Sequence, residues 1–235
     1  MSGILQTFFM FAKKAGIITD NLNFYYDPAN IDSYIGSGTA LNDLTANNYD
    51  ATLVNGVGFS ASNDGILLFD GTNDYVSMPV ASAGAFINQS FTVEAWVKPS
   101  ASPPFQQIYF GILQDDATQS RLQCRLYSDG VIRLGYFAQD LDTASGQVDF
   151  ASWQHIAMVY NSGDDTSKIY KNGVQLASGN QGSLLSSTGR VIEIGRHNGA
   201  EYYKGDIGAI YSYQAARTVG EINDNFDALK GRYGF

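Results

Sequence analysis

Asn172-Gly173, set between the alternating segments 168–171 and 174–177, is the feature that most constrains this chain. An Asn-Gly pair takes positive φ at both positions at little cost. That builds the two-residue turn whose twist matches two antiparallel strands. The same grammar recurs along the sequence. Asp129-Gly130 joins 121–127 to 131–137, and Asp70-Gly71-Thr72-Asn73-Asp74 separates the apolar runs 66–70 and 74–78. Further strand patterns fall at 22–26, 51–54, 91–98, 107–113, 147–150, 153–160, 191–195 and 207–213. Turn signals at roughly 8–12-residue spacing, with no helices alternating between the strands, predict an all-β, two-sheet antiparallel sandwich.

The segment 91–98 shows the period most clearly. Phe91, Val93, Ala95 and Val97 share one face, and Thr92, Glu94, Trp96 and Lys98 the other. One short C-terminal helix is expected. Thr218 and Glu221 have capping-box spacing, Ile222, Phe226 and Leu229 form one apolar stripe, and Gly231 is placed to end it.

Composition narrows the function. Charged residues make up 16% of the chain, against roughly 25% in an average globular protein, so Ser, Thr, Asn and Gly carry the surface. The net charge of −9 repels a phosphate backbone, which argues against nucleic acid. A single cysteine, Cys124, forbids a disulfide within the chain and reads as a buried structural thiol. No apolar run of about 18 residues is present, so no membrane insertion is expected. Residues 4–11 are apolar, but no Lys or Arg precedes them and Lys13-Lys14 follow. Residues 1–19 therefore read as a retained N-terminal arm, and 20–235 as one domain.

Several segments together resemble a known family. Residues 69–76 (Phe-Asp-Gly-Thr-Asn-Asp-Tyr-Val) resemble the F-D-G-x-x-D-Y-V signature of laminin-G-like domains in the concanavalin A-like lectin/glucanase superfamily. Residues 91–99, 153–157, 169–173 and 205–213 are similar to that family's later strands, in the family's order. At the ends, residues 34–56 and 221–234 resemble the opening and ending of tailed-phage structural proteins, with a departure at 214–218. The resemblance implies a jelly-roll sandwich on a virion surface.

Asp70, Asn73 and Asp74 offer oxygens to a Ca²⁺ ion, and the resemblance favours one. The same residue types also serve a turn's own N–H groups, and Asp164-Asp165 forms a second such cluster. Sugar binding would stack a ring on an exposed aromatic. Tyr202 and Tyr203, beside Asn198 and Glu201, are candidate glycan contacts, as are Phe105 and Tyr109. His155 reads as packed, and His197 as a loop residue open to a ligand. None of the four glutamates, Glu94, Glu193, Glu201 and Glu221, has another acid two or four residues later on a strand. The laminarinase-like E-x-D-x-x-E pattern is thus missing, and the chain is expected not to be an enzyme.

These readings converge on a virion protein that displays a lectin-like sandwich. Phe8, Phe9, Met10 and Phe11 would dock it on capsid or tail proteins. Two alternatives are a glycan-binding module for a host surface and a glycoside hydrolase. A homo-oligomer is left open.

Overall fold

The computed structural model describes residues 16–86, 88–112, 122–136, 139–182, 190–197 and 199–235. Among these the chain forms β1 (Leu22–Tyr26), β2 (Ala40–Leu41), β3 (Ala51–Val54), β4 (Gly58–Ser60), β5 (Ile66–Asp70) and β6 (Tyr75–Ser77). It continues with β7 (Phe91–Pro99), β8 (Gln106–Ile112), β9 (Gln123–Tyr127), β10 (Ile132–Gly135) and β11 (Leu141–Asp142). Then come β12 (Gln154–Asn161), β13 (Thr166–Lys171), β14 (Val174–Asn180), β15 (Ile192–Ile194), β16 (Lys204–Tyr213) and helix α1 (Val219–Leu229).

The strands form two antiparallel sheets. Sheet I runs β14-β13-β12-β7-β16-β5-β4, with β1 also paired to β16. Sheet II runs β11-β10-β9-β8-β15-β6-β3-β2. Distant strands become neighbours, β7 beside β16 and β15 beside both β8 and β6. Such long returns give the expected jelly-roll sandwich with one short C-terminal helix. No helix among the described residues is long and apolar enough to cross a membrane.

Alternation along β7 explains the layers. Phe91, Val93, Ala95 and Val97 face the space between the sheets, where they join Phe110, Cys124, Leu126, Ile132, Leu134, Ile156 and Met158. Aromatic contacts fill this core: Phe24 stacks on Phe110 at 5.9 Å, and Phe91 lies tilted against Tyr160 at 5.7 Å. Burial raises the Cys124 thiol well above its usual pKa, as fits a structural cysteine. The other face of β7 does not meet solvent. Trp96 is covered by Phe226 at 5.5 Å and Tyr233 at 4.2 Å, both nearly parallel to it.

The expected capping box holds α1 in place. Thr218 Oγ1 accepts from the Glu221 N–H at 3.3 Å, and the Thr218 N–H donates to Glu221 Oε2 at 2.7 Å. Ile222 packs with Ala157, Val159 and Tyr170, and Phe226 and Leu229 lie against the Trp96 cluster. The expected stop at Gly231 is corrected. α1 ends at Leu229 and tightens into a 3₁₀ turn, Lys230–Tyr233, and it is Gly234 that takes the left-handed φ of 90°. The tighter turn delivers Tyr233 to β16, where its hydroxyl accepts from the Ala209 N–H at 2.9 Å. That ring occupies the space a side chain on Gly208 would need.

Three other expectations change. Residues 147–150 are not a strand: the N–H groups of Gln147 and Val148 both donate to Gly130 O, folding the loop over the 129–130 turn, and β11 forms the edge instead. β2 and β4 are two- and three-residue strands with too little pattern to read. Ile17 and Ile18, assigned to the arm, pack against the Trp96 cluster. The Ile18 N–H donates to Asn225 Oδ1 at 2.8 Å, and its carbonyl accepts from the Tyr213 hydroxyl at 3.0 Å. Phe8, Phe9, Met10 and Phe11 lie outside the described residues.

Candidate functional site

Strand alternation in sheet II sends Cys124, Leu126, Ile132, Leu134, Ile192 and Ile194 into the core. It leaves Gln123, Arg125, Tyr127, Arg133 and Glu193 on the outer face. There Arg125 stands directly across from Arg133. Two cations opposite one another repel unless they are compensated. Arg125 pairs with Glu201 at 3.0 Å, and Arg133 holds Asp140 and Asp142, each at 2.7 Å. Both guanidinium groups also lie over the Tyr127 ring, at 5.7 and 5.2 Å from its centroid. The carboxylates of Asp142 and Asp140 raise the Arg133 pKa against the opposing effect of burial.

Phe105 forms the rim of this face. It is 74% exposed and stands edge-on to Tyr127, ring centroids 5.9 Å apart. The Ser128 N–H donates to Phe105 O at 3.0 Å, which fixes the loop that carries the ring. Phe105, Tyr127, Asp129, Val131, Arg133 and Asp142 line a cavity of about 200 Å³. The arrangement offers an apolar ring face beside guanidinium and carboxylate groups held by one another.

The polar grid continues across the sheet. Arg125 donates to Gln106 Oε1 and to Gln123 Oε1, each at 2.7 Å. His197 is buried rather than open to a ligand. It lies close over Gly111, where an added Cβ would crowd its ring, with Gln123 Nε2 3.1 Å from its Nδ1. Glu201 adopts a positive φ of 55°, uncommon for a residue with a side chain, as it meets Arg125. Farther along, Arg196 Nε donates to Glu193 Oε2 at 2.7 Å, and its guanidinium sits 3.4 Å from the Tyr75 ring centroid.

The expected glycan contacts separate. Tyr202 is half-buried and hydrogen-bonds the Arg196 side chain, so it remains on this face. Tyr203 is corrected to a core residue: it is 0% exposed, packs edge-on against Phe69, and donates to Asp206 O. Tyr109 is likewise buried. Asn198 lies outside the described residues.

The Asp70, Asn73 and Asp74 tip is held by its own backbone. Asp70 Oδ1 accepts from the N–H groups of Thr72 at 2.7 Å and Asn73 at 3.4 Å, and Asp74 Oδ2 accepts from the Asp70 N–H at 3.2 Å. Burial raises the Asp74 pKa, partly offset by that N–H. Among the described residues no group of three His, Cys, Asp or Glu is placed to hold a metal ion. The tip is built as a turn that satisfies its own backbone N–H groups.

A second polar cluster lies on the opposite side of the molecule, under α1. Glu94 and His155 are each 0% exposed, with His155 Nε2 2.9 Å from Glu94 Oε2. Asn225 Nδ2 donates to Glu94 Oε1 at 2.8 Å and to the Tyr213 hydroxyl at 3.0 Å. His155 is thus packed, as its strand position implied.

Sequence reasoning missed Arg125, Tyr127 and Arg133, although the alternation at 123, 125 and 127 was there to be read. It also tested only glutamates for same-face acids. Asp140 and Asp142 are two residues apart and converge on one guanidinium.

A family model described as the concanavalin A-like lectin/glucanases superfamily, Laminin_G_3, matches residues 70–223. No curated protein matches the chain. Among solved structures, domain 4 of AbnA, a GH43 extracellular arabinanase from Geobacillus stearothermophilus in complex with arabinotriose, is 18% identical. The likeness covers 87% of this chain and 98% of that one, with a TM-score of 0.65. Trypanosoma rangeli sialidase in complex with 2,3-difluorosialic acid is also 18% identical, with a TM-score of 0.69 over 94% of this chain. There the chain spans only 35% of its relative. At such identity these likenesses establish the fold alone.

The family match and these likenesses correct one expectation, that the chain is not an enzyme because it lacks the E-x-D-x-x-E pattern. The matched superfamily includes glucanases, and the similar folds are parts of an arabinanase and a sialidase. A missing motif does not separate the chain from glycoside-acting proteins. The family model spans more than half of the 235 residues, and the chain belongs to the laminin-G-like family of the concanavalin A-like lectin/glucanases superfamily.

Proposed function

We propose that the outer face of sheet II is a carbohydrate-binding surface. The observation that carries this is Phe105, 74% exposed at the rim of a cavity lined by Tyr127, Arg133, Asp129 and Asp142. A sugar presents apolar C–H groups on one ring face and hydroxyls around its edge. Phe105 takes the first, and the Arg133–Asp142 pair takes the second. Because those polar groups already hold each other, a ligand does not have to order them, which lowers the cost of binding. The AbnA domain in complex with arabinotriose supports a carbohydrate reading for this fold.

Calorimetric titration with a panel of gluco-, galacto-, manno- and arabino-oligosaccharides tests the proposal. Binding that Phe105→Ala abolishes is the expected result. Binding that survives Phe105→Ala, or a panel with no ligand, would overturn it.

A finer reading rests on the resemblance of residues 34–56 and 221–234 to tailed-phage structural proteins. In it, the sandwich is displayed on a virion and Phe8, Phe9, Met10 and Phe11 dock it on capsid or tail proteins. Ile17 and Ile18, at the end of the 1–19 arm, pack on the sandwich, so the truncation that tests docking stops short of them. Deleting residues 2–15 should leave a folded domain that no longer joins particles. Normal incorporation of the truncated chain would refute this reading.

A further inference from the structure

We infer that the sugar residue taken by the Phe105 pocket is uncharged, and that Asp140 and Asp142 enforce this by occupying Arg133. The inference rests on the carbohydrate reading and concerns which class of sugar it admits.

Charge within the pocket carries the argument. Recognition of a carboxylate or sulfate sugar needs a guanidinium free to make parallel N–H bonds to the anion. Arg133 is the cation among the described lining residues, and its charge is already matched and its fork already filled by carboxylates. Its Nε donates to Asp142 Oδ1 at 2.7 Å and its Nη2 to Asp142 Oδ2 at 2.7 Å, while Nη1 meets Asp140 Oδ2 at 2.7 Å. Asp129 also lines the cavity. One guanidinium thus stands against three carboxylates, and an anionic sugar would enter a locally negative site.

Two other described arginines of this face are also committed. Arg125 pairs with Glu201, and Arg196 is chelated by Glu193. At longer range the chain's net charge of −9 opposes an anionic glycan as well, within the screening length of the solution.

What remains suits hydroxyls. A guanidinium has five N–H donors, and three of Arg133's are used by the two aspartates. The others, with the free lone pairs of Asp129 and Asp142, can donate to and accept from one hydroxyl or a pair of them. The cavity of about 200 Å³ is smaller than the roughly 300–1,000 Å³ of pockets for larger ligands, so it admits a single ring.

The test uses matched pairs of oligosaccharides, each neutral glycan against the same glycan capped with a sialic or uronic acid. They are titrated into the full chain and its variants. The neutral member should bind at least about tenfold more tightly. Asp142→Asn should move that ratio toward the acidic member by about tenfold, with Asp140→Asn as a second variant acting in the same direction. An acidic member that binds the unaltered chain as well as its neutral partner would overturn the inference while leaving the carbohydrate reading intact. Binding by neither member would overturn both.

Discussion

The two outer faces of this sandwich are built from the same alternating strands and end in opposite conditions. On sheet I, Glu94, Trp96 and His155 point outward and are roofed by α1 and the C-terminal turn until none is exposed. On sheet II, Arg125, Tyr127 and Arg133 point outward and no helix covers them among the described residues. Both faces carry charge partners at hydrogen-bond distance. The difference is what those partners complete. Glu94 bridges His155 and Asn225 and thereby fastens the helix, and Asn225 in turn holds Ile18. The Arg133 grid fastens only its own strands and leaves an aromatic rim beside it. Polar clustering alone therefore does not distinguish the two faces; what distinguishes them is that the sheet II cluster stays uncovered next to an exposed ring.

Substitutions on the covered face should produce the largest effects. Glu94→Ala leaves His155 and Asn225 without their shared acceptor in a sealed space, and should cost about 3–5 kcal/mol of stability by urea denaturation. A loss below about 1 kcal/mol would show that the cluster does not hold the helix down. Thr218→Ala removes the cap of α1 and should cost about 1 kcal/mol.

The cap also carries a pH signature. Burial alone would raise the Glu221 pKa, but hydrogen bonds from Thr218 and the Arg217 guanidinium hold it below its usual value. A carboxylate with a lowered folded pKa stabilises above its unfolded value and loses that stabilisation as pH falls through the folded one. The penalty of Glu221→Gln should therefore be full at neutral pH and fade in the acid range, as read from melting temperature against pH.

On the open face the expectation reverses. Phe105→Ala should change stability by less than about 0.5 kcal/mol, because the ring is exposed and roofs nothing. A large destabilisation would make Phe105 a packing residue and remove the contrast between the faces. The smallest effect concerns the 70–74 tip. With Asp70 and Asp74 accepting from their own turn, EDTA should leave the melting temperature unchanged, and a drop would place a cation there.

Much of the frame could be read in the sequence, because it depends on local chemistry. Asn172 and Gly173 both take positive φ, at 50° and 80°, as a two-residue hairpin turn requires. The two faces of residues 91–98 separate into core and roofed surface as their alternation implies. The site was less legible because it depends on register between strands. That Arg125 faces Arg133 follows from the pairing of β9 with β10, which no single segment states. Tyr202 and Tyr203 look equivalent in sequence, but β16 begins at Lys204 and its pleat sends Tyr203 inward. His197 reads as a loop residue in the sequence, yet its ring is buried close over Gly111 on β8 and beside Gln123 on β9, neighbours that its own segment does not reveal.

The central claim is that the open face, and not the covered one, meets ligand. Backbone and side-chain NMR of the full chain, titrated with neutral oligosaccharides, tests it most directly. Shifts that saturate and concentrate at Phe105, Tyr127, Val131 and Arg133, and vanish in Phe105→Ala, are the predicted result. Shifts centred on Trp153, Phe226 and Phe235 around α1, or a spectrum that no oligosaccharide moves, would contradict it.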